Sequence, residues 1–140
     1  MEYVCDAPDG MTWFRLMTEG EAAAESAELG HAVEKYYRRE RERAAESFVP
    51  VSTVLFEQAI GLEAHIRREM PLFATLRDED GVGHATAMLP PGGHADRGFT
   101  SIVVGPANGD PYPRHGPAIR ALGDHFGLTL DRARCYPYRR

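Results

Sequence analysis

The sequence has only two cysteines, Cys5 and Cys135, near opposite ends of its 140 residues, and neither belongs to a C-x-x-C pair or has metal-ligand spacing. This usage excludes a disulfide-stapled scaffold and fits a reduced, cytoplasmic compartment. No run of about 18 apolar residues occurs and no signal-peptide core opens the chain, so neither membrane insertion nor secretion is expected. Lysine is nearly missing. Fifteen of the sixteen basic residues are arginine and only Lys35 is lysine, a bias that reads as high-GC coding and not as a phosphate site. There is also no H-x-H, no H-E-x-x-H, no G-x-S-x-G and no internal repeat, which removes the common sequence signatures of zinc and serine hydrolases and of solenoids.

What is present is ordinary. The 43% hydrophobic and 26% charged fractions are those of a globular chain, and a length of 140 residues suits one domain spanning 1–140. A chain of this size buries roughly 68% of its unfolded surface, enough for a core without staples. The formal net charge of −5 conceals an asymmetry. Met1 to Val33 holds seven acids and one base, whereas Pro111 to Arg140 holds two acids and six arginines. Ends of opposite sign can attract one another within a subunit or between two. The overall acidity argues against a nucleic-acid partner, although the arginines and tyrosines interleaved over 131–140 form a basic tail of a type that can stack on bases.

Residues 1–10, with Asp6, Pro8, Asp9 and Gly10, read as an irregular lead-in ending in a turn. Thr12 to Met17 carries the bulk for a short buried strand. Thr18 and Glu21 have capping-box spacing, and an Ala- and Glu-rich stretch free of proline then runs to Phe48. One helix over Glu19 to Ser47 would span ~43 Å, so it either kinks at Gly30 or projects toward a partner. A second helix starts near Ser52 or Thr53 and stops at Pro71. Leu72 to Arg77 and Val82 to Leu89 flank Asp78-Glu79-Asp80-Gly81 and predict a hairpin. Phe99 to Val104 predicts a strand, Pro117 opens a third helix that stops at Gly127, and Leu128 to Leu130 begins a last short strand. The fold class expected is α+β: an antiparallel sheet of four to five strands, covered on one face by two long N-terminal helices and one short C-terminal helix.

Four histidines, His84, His94, His115 and His125, fall in the C-terminal half without ligand spacing, so no metal or other cofactor is expected. The better site lies in the Gly105 to Gly116 loop, between the clearest strand and a helix start, where Gly105, Arg114, His115 and Gly116 could meet an anion. The order hairpin, strand, Val104-x-Pro106, then Arg114-His115-Gly116-Pro117-Ala118 opening a helix that ends at Phe126-Gly127-Leu128, loosely resembles the acyl-CoA-binding core of the N-acetyltransferase superfamily over Leu72 to Leu130. That resemblance implies a turn that cradles a pyrophosphate. Arg114 stands one residue too close to Gly116 for that turn and Pro117 has no N–H, so the resemblance implies a degenerate, CoA-like binding domain before an active transferase.

Two functions follow from these features. The first is a non-enzymatic interaction or assembly protein, acting as a homodimer, with Tyr36, Tyr37 and Phe48 on the long helix as interface contacts. In its simpler form, those three line the monomer's own core. The second is a small-molecule domain using the 105–116 loop, marked by a pocket lined by Ile102, Val104 and Ile119.

Overall fold

The fold, taken from a computed structural model and described for residues 1–138, is governed by strands whose two faces are both apolar. Its sheet has five strands: β1 (Glu2–Asp6), β2 (Thr12–Arg15), β3 (Leu72–Arg77), β4 (Gly83–Leu89) and β5 (Ile102–Val104). They lie in sequence order and each pairs antiparallel with the next. The helices are α1 (Glu19–Leu29), α2 (Val33–Glu46), α3 (Leu55–Glu69) and α4 (Tyr112–Phe126). The α+β class and the antiparallel sheet are as the sequence predicts.

Alternation along β3 shows how the layers form. Leu72, Ala74 and Leu76 pack with Trp13, Leu89, Ile119 and Leu122 on the α4 side, while Phe73 packs with Leu16, Tyr37, Ile66 and Met70 on the side of α1 to α3. All six residues of β3 are therefore buried. The expectation that the helices cover one face is thus corrected: α4 takes the other. A sheet apolar on both faces leaves surface exposed unless both are covered.

Of the two outcomes left open for the long N-terminal stretch, the break at Gly30 is the one observed. Gly30 adopts a left-handed conformation (φ 67°) and its N–H donates to Ser26 O at 2.8 Å, closing α1; α2 starts three residues later. The kink at Gly30 folds both helices back on the sheet, where one continuous rod would overshoot it. Thr18 Oγ1 accepts from Glu21 N at 3.1 Å as a cap should, but the Glu21 carboxylate reaches one residue further than a capping box, to Met17 N at 2.7 Å.

Residues 1–10 are not an irregular lead-in. Glu2–Asp6 is an edge strand, and Asp9 and Gly10, both with positive φ, form the tight turn into β2, with Ala7 N donating to Met11 O at 2.9 Å. Leu128 to Leu130 forms no strand. Instead, Tyr136 bridges Ile102 in parallel, its N–H donating to Ser101 O at 2.9 Å. Nor is 131–138 a trailing tail, because Cys135 is fully buried in the core and Arg132 pairs with Asp110 at 2.8 Å. Arg139 and Arg140 lie outside the described residues. Among the described residues, Arg132 and Arg134 find their carboxylates locally, at Asp110 and Asp131.

Candidate functional site

The elements that meet at β4 and β5 build a groove on the α1–α2 side of the sheet. Its floor is Ala87, Met88, Ile102 and Val104, its walls are Val33, Tyr36, Asn108 and Tyr136, and it encloses about 270 Å³. Ile102 and Val104 line it as the sequence predicts for a pocket. Ile119 does not, since it packs under α4 on the opposite face.

At the inner end His31 and Thr86 sit over a buried polar chain. Glu25 on α1 is 0% exposed. Thr86 Oγ1 donates to Glu25 Oε2 at 2.5 Å, and the other Glu25 oxygen accepts from Arg77 Nη2. All three nitrogens of Arg77 are engaged: Nε donates to Thr75 Oγ1 at 3.0 Å, and Nη1 donates to Glu28 Oε2 at 2.7 Å and to Gly81 O at 3.0 Å. Glu28 also accepts from Gly83 N at 2.7 Å, and this bond, with Arg77 beside it, holds its carboxyl below the usual carboxylate range.

The histidine tautomer follows from the donors. Thr86 has one hydroxyl hydrogen and gives it to Glu25, so the 2.8 Å contact between Thr86 Oγ1 and His31 Nε2 requires His31 Nε2–H as donor. His31 Nδ1 then accepts from Val33 N at 3.4 Å. Burial pushes the His31 pKa down and favours this neutral form. With both ring nitrogens engaged, His31 orients Thr86 and α2 and is not free to act as a base toward a molecule in the groove. Chemically the groove offers an apolar floor, two tyrosines and the Asn108 amide, and no activated nucleophile.

The residues expected in the Gly105–Gly116 loop are not brought together. Gly105 is buried, with its N–H donating to Gly109 O at 2.8 Å. Arg114 is exposed, and Gly116 lines a separate depression beside Arg120 and Asp124. His115 is buried edge-on against His84, with ring centroids 5.2 Å apart, and burial lowers its pKa. The bulge in β4, where Gly83 and Ala85 pair with consecutive residues of β3, leaves His84 free of the ladder to meet it. His94 and His125 are exposed elsewhere, and among the described residues no group of three His, Cys, Asp or Glu is placed to hold a metal. The α4 entry is unsuited to an anion: Pro111, Pro113 and Pro117 carry no N–H, and Asp110 Oδ1 already accepts from Tyr112 N at 3.0 Å.

Tyr37 is 3% exposed and packs on Phe73 at 5.2 Å between ring centroids, in the core position that the simpler reading gave it. Tyr36 is 39% exposed at the groove, and Phe48 is half-buried against His65. Sequence reasoning missed His31, Thr86, Glu25 and Arg77. The one available signal was Glu25 and Glu28 beyond the first turn of α1, since carboxylates three apart share a helix face.

Together the fold and site define a small α+β domain with an apolar groove beside its last strand. Comparison with protein families, with curated proteins and with solved structures finds no match. No helix among the described residues is long and apolar enough to cross a membrane.

Proposed function

We propose that the chain is a small-ligand-binding domain without catalysis of its own, taking an acyl or aryl group with a carbonyl or amide into the groove between α2 and β5. The carrying observation is the groove itself: an apolar floor of Ala87, Met88, Ile102 and Val104, with Asn108 and two tyrosines at the rim as orienting polar groups. The order of β4, β5, loop and α4 agrees with the part of the sequence that resembles the acyl-CoA-binding core of N-acetyltransferases. The phosphate cradle implied by that resemblance has no support in the α4 entry, so an acyl moiety fits better than a pyrophosphate.

Saturation-transfer NMR with acetyl-coenzyme A and phenylacetamide as probes tests this. Transfer to at least one probe is expected in the wild-type protein, and Val104→Trp, which fills the floor, should abolish it while leaving the fold intact by circular dichroism. If neither probe binds at millimolar concentration, the reading fails.

A second reading, self-association, is favoured by a different surface. Val49, Val51, Val54, Leu55, Phe56 and Ile60 are 53% to 103% exposed, and only Ile66 of α3 is buried. At roughly 100 Å² each they present on the order of 600 Å² of apolar surface, near the ~800 Å² that one side of a standard interface buries. The occupant that fits is a second copy. Glu57 lies in the first turn of α3 and Arg68 in its last, so two antiparallel α3 helices related by a two-fold axis bring acid to base and align their dipoles favourably. In sedimentation equilibrium a dimer is expected at tens of micromolar, and the double variant Phe56→Glu, Ile60→Glu should be monomeric. A monomeric wild-type protein, or a dimer that survives the double variant, would overturn this surface.

A further inference from the structure

A second cleft, of about 270 Å³, opens where the end of β2 meets α2 and α3, and its walls carry three guanidinium groups: Arg15, Arg41 and Arg67. Arg41 and Arg67 each have a carboxylate, Glu63 at 2.6 Å and Glu2 at 2.6 Å respectively. Among the described residues Arg15 has none. It is only 9% exposed, and the hydrogen bond it makes there runs from Nη2 to Arg67 O at 3.1 Å. Glu2 is its cross-strand neighbour in the β1–β2 pairing, yet the Glu2 carboxylate is taken by Arg67.

A guanidinium carries five N–H donors, so one bond leaves Arg15 with four and with no anion in ion-pair distance. Its unbonded N–H groups are not sealed from solvent, so they open on the cleft and are available to an incoming anion. Burial, and the Arg67 charge beside it, push the Arg15 pKa down, against a smaller opposing effect of Glu2. With Arg15, Arg41 and Arg67 against Glu63 and Glu2, the cleft carries one positive charge in excess. Tyr37, Met17 and Ile66 supply the remaining walls.

We propose that this cleft binds a small oxyanion, the phosphate or carboxylate group of a metabolite, with Arg15 as the central donor and Arg41 and Arg67 at its mouth. The planar fork of arginine matches both groups in two-pronged geometry. The site is separate from the α2–β5 groove and stands whether or not that groove binds an acyl group.

The test uses inorganic phosphate and acetate as probes at constant ionic strength, with chloride as reference, read by thermal melting and by ¹⁵N-detected NMR of the arginine side chains. One of the two probes, at about 10 mM, should raise the melting temperature relative to chloride and shift the Arg15 Nε resonance. The more effective probe tells a phosphate from a carboxylate ligand. Arg15→Gln should abolish the effect. Because that variant also loses the bond to the α3 carbonyl, Arg41→Gln at the more open rim serves as a second: it should weaken binding by roughly three- to tenfold with an unchanged melting temperature in chloride. Arg43→Gln, exposed on α2 and outside the cleft, should bind like the wild type. Equal stabilisation of wild type and Arg15→Gln, or none by either ion, would overturn the site.

Discussion

Arg77→Met should lower the stability of this domain by about 3–5 kcal/mol, the usual effect of stripping one partner from a buried ion pair. Glu25 is fully buried, and without Arg77 its carboxylate keeps only the Thr86 hydroxyl. The loss spreads because Arg77 also ties Glu28, Thr75 and the Gly81 carbonyl of the β3–β4 turn. Urea unfolding of the variant should show the reduced midpoint. The double variant Glu25→Met, Arg77→Met removes both charges and should regain most of the loss, since the two-charge arrangement is strongly unfavourable only when broken. A double variant no more stable than the single one would mean that the pair is not what holds α1 to the sheet. The His31 contact to Thr86 belongs to the same chain of bonds, so the single variant should also disturb the inner end of the groove.

Trp13→Ala is the second large effect, expected at about 3–5 kcal/mol, which for a domain of this size lowers the melting temperature by roughly 10 °C or more. Trp13 is 0% exposed and lies within the cluster formed by Leu76, Ala118, Ile119 and Leu122. Its Nε1–H donates to Ala118 O at 2.8 Å, on α4. This hydrogen bond occurs where Pro117 interrupts the regular ladder and His115 departs from helical geometry (φ −121°). Trp13→Phe keeps most of the apolar volume but not the donor, and should recover most of the stability. Calorimetry of the two variants separates packing from the hydrogen bond. A loss in Trp13→Phe as large as in Trp13→Ala would assign the main effect to the bond.

How much of this was legible beforehand can be argued from particular residues. Leu72–Arg77 and the Asp78–Gly81 turn were plain because a short run bounded by Asp-Gly turn chemistry is specified within a few residues. The end of α4 at Gly127 was equally local, since a left-handed closing residue favours glycine. The same Asp-Gly signal stood at Asp9-Gly10 and predicts the first hairpin, but the polar residues around it read as a lead-in because Tyr3, Val4 and Cys5 form only an edge strand, mostly open to water. Periodicity could not separate α1 from α2, because a helix stripe continues through a single glycine. What decides the break is where the sheet lies beneath it.

The site was the least legible part. His31, Thr86, Glu25 and Arg77 lie 61 residues apart at their extremes, on α1, β3, β4 and the α1–α2 connection, and no short spacing encodes them. Arg15 reads from sequence as one more strand residue. Only packing shows that it is buried with a carbonyl for company and no carboxylate. The amino-acid sequence by itself determined the α+β class, the β3–β4 hairpin and most helix ends, since each rests on composition or on interactions within a turn or two. Tertiary structure decided that α4 takes the face opposite α1 to α3, that Tyr37 is core, and that the polar chain, the groove and the arginine cleft exist. Those depend on which distant side chains share a low-dielectric interior, and the free energy of a buried charge is set by neighbours that the linear order does not place beside it.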